Sequence, residues 1–171
     1  MSARDEPGEV DAVVAIYRHA LPQVHGYLLP RCGSVSVAED LTAETFEAAV
    51  AANRRENPPV LTVAWLIGVA RHKLVDHWRR VGREERGVAI AEVGCDGVDD
   101  PWQHHFDTEA AYAALAQLSA HHRAVLTLRY LDGLPVAEVA AVVDRSVHAT
   151  ETLLMRAKAA LRRVYREEEG N

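Results

Sequence analysis

The residues of this chain best suited to acid–base or metal chemistry come in adjacent pairs: Asp76 with His77, His104 with His105, and His121 with His122. Glu44 and Glu47 add two carboxylates near one another. A zinc hydrolase needs donors at spacings such as HExxH, HxxEH or ExxH, which set two ligands on one face of a helix. None of these spacings occurs, and neighbours on a helix point about 100° apart, so the pairs do not converge on one ion. Cys32 and Cys95 stand far apart with no CxxC and no Cys/His pattern, and read as two reduced thiols. No catalytic residue, metal ligand or cofactor site is therefore expected. The chemistry that remains is that of cations on helices. Residues 51–81 carry six basic and two acidic groups, and residues 152–166 carry five basic groups and no acid. Lysine and arginine at such density suit phosphate at two separate places, or else form the solvated faces of two helices.

These two segments sit in an acidic body. The chain has 171 residues and a net charge of −6, with 49% hydrophobic and 26% charged residues, enough apolar material to bury a core in one fold or in two small domains. The longest apolar stretch, 60–70, is broken by Thr62 and Gly68 and is far shorter than the ~20 residues of a membrane helix, so no membrane insertion is expected. The acidic start MSARDEPGEVD lacks the apolar core of a secretory signal, and a cytoplasmic location is expected.

Apolar residues recur at helical spacing almost throughout, which predicts an all-α fold. A first amphipathic helix covers 10–29 through Val13, Ile16, Tyr17, Ala20, Val24, Tyr27 and Leu28, with Pro22 demanding a bend or a boundary, and the pattern breaks over 30–35. Ser36 and Glu39 read as a capping box opening a helix over 37–52, with Val37, Leu41, Thr45, Phe46 and Ala48/Ala49 inward. Pro58 and Pro59 enforce a loop over 53–59, and a third helix over 62–81 turns Val63, Leu66, Ile67, Ala70, Leu74, Val75 and Trp78 inward. Residues 82–108, rich in glycine and acid, read as a flexible linker, and their VAIAEV run at 88–93 is the only strand-like stretch. Helices then resume at 109–117, at 120–131 behind Ser119, at 135–143 from Pro135 and at 147–166 behind Ser146. The last two, with Asp144 where the chain must reverse, have the dimensions of a helix-turn-helix. Two small helical domains follow: 10–81 and 109–166, with the linker over 82–108.

Taken together, the two halves resemble the sigma-70 family of bacterial RNA polymerase sigma factors, in the compact extracytoplasmic-function (ECF) group that has only regions 2 and 4. AEDLTAETF (38–46) is similar to the region 2 pattern AEDLxQETF, and AWLIGVARHKLVDHWRR (64–80) to xWLxxIARNxLIDxxRR. ALAQLSAHHRAVLTLRYLDGLPVAEVAAVV (114–143) is similar to ALxxLPxxxRxVLxLRxxEGLSxxEIAxxL, and LLMRAKAALRR (153–163) to the end of the recognition helix, RLHRARAALRR. The resemblance implies a transcription initiation factor whose partners are core RNA polymerase, promoter DNA and an anti-sigma factor. It implies that Asp40, Leu41, Glu44 and Phe46 dock onto the polymerase clamp, Phe46 as an apolar anchor or a core residue. Arg71, His72, Lys73, Arg79 and Arg80 would meet DNA near the minus-10 element, with the cations repeating on one side of their helix. Arg54, Arg55 and Asn57 lie in the loop that captures a flipped base. Trp65 and Trp78 are read as core rather than as stacking platforms. His148, Glu151, Thr152, Arg156, Lys158 and Arg162 would face DNA at the minus-35 element, joined by Arg163 for phosphate.

Several positions depart from the family pattern. Ala43 replaces a glutamine and His72 an asparagine. The start of the recognition helix differs most, with Asp144 for Gly, Arg145 for Ile, His148 for Gly, Glu151 for Lys and Leu153 for Arg. A carboxylate at Glu151 either repels phosphate or accepts from a donor such as cytosine N4, and with no neighbour obviously orienting it, repulsion is the expectation from sequence. A stand-alone helix-turn-helix regulator with a sensing or dimerising N-terminal domain is the rival reading; it would bind duplex DNA alone as a stable dimer.

Overall fold

The structure is a computed structural model that describes residues 7–85 and 108–169. Seven α-helices follow in order among the described residues: α1 (Pro7–Cys32), α2 (Val35–Asn53), α3 (Val63–Glu85), α4 (Thr108–Ala116), α5 (Ala120–Leu126), α6 (Val136–Val142) and α7 (Val147–Glu169). Among the described residues there is no strand, as the helical periodicity requires; the VAIAEV run lies outside them. The chain divides into two compact units, Met1–Leu74 and Val75–Asn171, the division falling inside α3.

In the first unit α1 packs along α2. Ala20, Val24 and Leu28 of α1 are fully buried, as are Thr45 and, almost completely, Leu41 and Ala49 of α2, the face that the sequence periodicity marks. Tyr17 is 42% exposed, yet its ring meets buried Phe46 edge-on at 4.6 Å between centroids. Pro22 neither ends nor bounds α1, which runs through Pro22 and Pro30 to Cys32. The carbonyls these prolines leave without an i+4 donor belong to Arg18 and Gly26, both exposed, where water can take them. The break comes instead at Gly33, whose φ of 68° ends the helix while its N–H donates to Leu29 O at 3.2 Å. The next residue opens α2. Ser34, rather than Ser36, is the N-cap, and its Oγ accepts from Val37 N–H at 3.5 Å, so the predicted capping box is not used. Thr62 does the same for α3, accepting from Trp65 N–H at 3.1 Å. That helix continues to Glu85, beyond the predicted start of the linker, and residues 86–107 lie outside the described ones.

In the second unit α7 packs against α4, α5 and α6. Thr150, Leu154, Ala157, Leu161 and Val164 of α7 are buried, together with Leu115 and Leu118, Val125 to Leu128, and Val139 and Ala140. The predicted helix over 120–131 is two pieces: α5 ends at Leu126 and a π-helical turn covers Thr127–Leu131, closed by Asp132 N–H to Thr127 O at 2.9 Å. Arg123 binds the end of α4. Its Nε donates to Leu115 O at 3.0 Å and its Nη2 to Ala116 O at 2.6 Å and Leu118 O at 3.3 Å, satisfying carbonyls that the last turn of a helix leaves open.

Candidate functional site

The helix-turn-helix is built by α6, a short turn and α7. Val143 ends α6, and Asp144 takes a φ of 54°, the left-handed region that reverses the chain. Its N–H donates to Ala141 O at 3.3 Å, and Arg145 N–H reaches back to Ala140 O at 3.0 Å. This pair of bonds is the double closure of a Schellman turn, a position where glycine costs least, and it accounts for the chain reversal read at Asp144 from the sequence. Ser146 then caps α7 as expected, accepting from Ala149 N–H at 3.2 Å. Arg129 Nη1 donates to Leu134 O at 2.9 Å, fastening the loop that leads into α6.

On α7 the buried face holds Thr150, Leu154, Ala157 and Leu161, so the opposite side is turned to solvent. There lie Val147, His148, Glu151, Met155, Arg156 and Arg163, all exposed, with Thr152 and Arg162 half-buried. The Thr152 hydroxyl is spent on its own helix, donating to His148 O at 3.0 Å. Lys158 is half-buried, with Nζ 5.0 Å from the centre of the Tyr130 ring, a cation–π contact that the sequence did not flag.

In the first unit, the four residues singled out on α2 separate by burial. Leu41 and Phe46 are in the core at 3% and 7% exposure, whereas Asp40 is exposed and Glu44 half-buried. Both take the inward place that the periodicity marks. Of these four, Asp40 and Glu44 offer charge at the surface, and Glu44 Oε2 is 3.3 Å from Lys73 Nζ on α3. Arg54, Arg55 and Asn57 are exposed in the loop after α2, and Thr62 and Val63 begin the next helix.

The cations of α3 do not share one side. At about 100° per residue, Lys73 and Arg80 stand almost in line, Arg79 about 100° round from Arg80, and Arg71 about 180° away. His72 and Arg80 are exposed; Arg71, Lys73 and Arg79 are half-buried. Arg79 Nη1 lies 3.2 Å from Asp76 Oδ1, and Arg80 Nη2 is 3.3 Å from His77 Nδ1. Trp78 is core, as expected, and its Nε1 has no hydrogen-bond partner among the described residues; Trp65 is only half-buried. No cluster of three or more His, Cys, Asp or Glu suited to a metal occurs among the described residues, nor any helix long and apolar enough to cross a membrane.

Comparisons with known proteins cover both halves. Residues 16–84 match the family model for sigma-70 region 2, and residues 108–161 that for sigma-70 region 4. The ECF RNA polymerase sigma factor BldN of Streptomyces coelicolor is 32% identical over 94% of this chain, which spans only 63% of that protein's length. The ECF RNA polymerase sigma factor SigF of Caulobacter vibrioides is 31% identical, covering 94% of this chain and 92% of its own. The sigma factor RpoE of Bartonella quintana, solved in complex with the anti-sigma factor NepR, shares the fold with a TM-score of 0.53 at 23% identity, over 88% of this chain and 94% of that one. With relatives of this similarity along almost its full length, and its two halves in family order, the chain belongs to the ECF group of sigma-70 RNA polymerase sigma factors.

Proposed function

We propose that this chain is a non-enzymatic transcription initiation factor, acting in the cytoplasm, that binds core RNA polymerase and directs it to particular promoters. The observation that carries the reading is a complete helix-turn-helix, with capped α7 presenting its exposed side, in the same chain as a region 2 match. In this reading residues 10–81 dock the polymerase and engage the minus-10 element, and residues 109–166 engage the minus-35 element. Asp40 and Glu44 are the surface carboxylates of the dock, held in place by buried Leu41 and Phe46. Arg54, Arg55, Asn57, His72, Lys73 and Arg80 belong to the minus-10 side, and Arg156, Arg162 and Arg163 grip phosphate beside α7. An anti-sigma protein that occupies these surfaces completes the scheme.

Run-off transcription from genomic fragments with purified core polymerase tests it. Promoter-dependent transcripts that require the added chain are expected. A chain that gives no stimulation over core alone, and that instead binds duplex DNA by itself as a stable dimer, is a regulator of another kind.

A further inference from the structure

The exposed side of α7 differs in chemistry along its length. Over its first turns it carries Val147, His148, Glu151 and Met155 and no lysine or arginine; the cations begin at Arg156 and continue with Arg162, Arg163 and Arg166. Val147 and Met155 are 46% and 59% exposed, large apolar side chains placed one turn before and one turn after Glu151. Thr152, the remaining polar neighbour, has its hydroxyl committed to His148 O.

From this arrangement we infer that Glu151 and Met155 determine sequence specificity, reading a cytosine and a nearby thymine in the major groove upstream of the start site. The inference rests on the proposed function and adds to it the bases that are read. The occupant is duplex DNA because the same helix continues into a run of cations suited to flanking phosphates, and because N-terminal residues of a recognition helix are those that reach base edges. Inside the groove a carboxylate next to guanine O6 and N7 or thymine O4 meets only acceptors and loses its water for nothing. Cytosine N4 offers a donor with an acceptor, the O6 of its paired guanine, on one side only, whereas the adenine amino group stands between two acceptors, its own N7 and thymine O4. Met155 stands four residues further on, about 6 Å along the axis, roughly two base-pair rises, where the C5-methyl of thymine is the apolar feature available.

Promoter selection decides the matter. Holoenzyme assembled from core polymerase and the full-length chain is presented with a promoter library randomised in the upstream element, with wild type, E151Q and M155A in parallel; all three are checked for unchanged helical content. The expected wild-type motif holds a cytosine with a thymine within about two base pairs. E151Q should weaken the preference for that cytosine by roughly 5- to 150-fold and move it towards adenine, which glutamine binds with two bonds. M155A should relax the thymine position alone, so each variant tests the assignment separately. An upstream motif that is the same in wild type and both variants overturns the inference, as does a wild-type motif with an A·T pair at the position that E151Q alters. Selection confined to the downstream element overturns the inference and leaves the proposed function standing. No enrichment over core polymerase alone overturns the function, and the inference with it.

Discussion

Lys73 Nζ lies 3.3 Å from Glu44 Oε2, tying α3 to α2 through two residues that sequence reasoning assigns to different partners, DNA for the lysine and polymerase for the glutamate. Their side chains are 35% and 43% exposed, so the pair is solvated and worth about 0.2–1 kcal/mol. Its consequence is practical, because a charge reversal at Glu44 acts on Lys73 as well as on anything docked against α2.

D40K/E44K is therefore expected to abolish binding to core polymerase while far-UV circular dichroism stays helical and stability falls by about 1 kcal/mol or less. Adding K73E to the double variant restores the internal pair. It should recover the melting temperature and leave polymerase binding lost. Recovery of binding in the triple variant would assign the effect to local packing, with Asp40 and Glu44 outside the dock.

Asp144 holds a left-handed conformation at the turn between α6 and α7. D144G removes the steric cost of a Cβ there and should raise stability by about 0.5–1 kcal/mol, while D144V should lower it by about 1–2 kcal/mol. Thermal unfolding followed by far-UV circular dichroism reads both. A stabilising D144V would refute the assignment of the turn.

Trp78 is buried with Nε1 unpartnered among the described residues. W78A should cost about 3–5 kcal/mol in urea unfolding. W78F loses volume and also removes a donor that makes no bond, so the two effects offset and the net cost should stay below about 1.5 kcal/mol. A loss from W78F near that from W78A would show that the indole N–H is bonded in solution.

Arg156 and Arg163 are exposed beyond the apolar and acidic stretch of α7. R156A and R163A should each weaken holoenzyme binding to all promoters alike and reduce the slope of log affinity against log salt by about one unit. A change confined to one promoter sequence would make either residue a base reader.

The α2–α3 ion pair shows where a one-dimensional reading stops. Periodicity and capping residues by themselves determined the helices, the inward face of each, the Ser146 cap and the reversal at Asp144, because these depend on contacts within about a turn of one chain segment. The resemblance of four ordered motifs likewise determined the family. Only the tertiary structure decided that Glu44 spends its charge on Lys73, that Arg123 closes α4, and that Lys158 rests against Tyr130. It also took the fold to move the α2 cap to Ser34, since the left-handed Gly33 ends α1 and leaves its neighbour first in line to accept from α2. The physical reason is common to all of these: partners distant in sequence, or a turn whose handedness sets the register of the next helix, carry no periodic signal, so a residue's type tells what it can bond but not what stands within 3 or 4 Å of it.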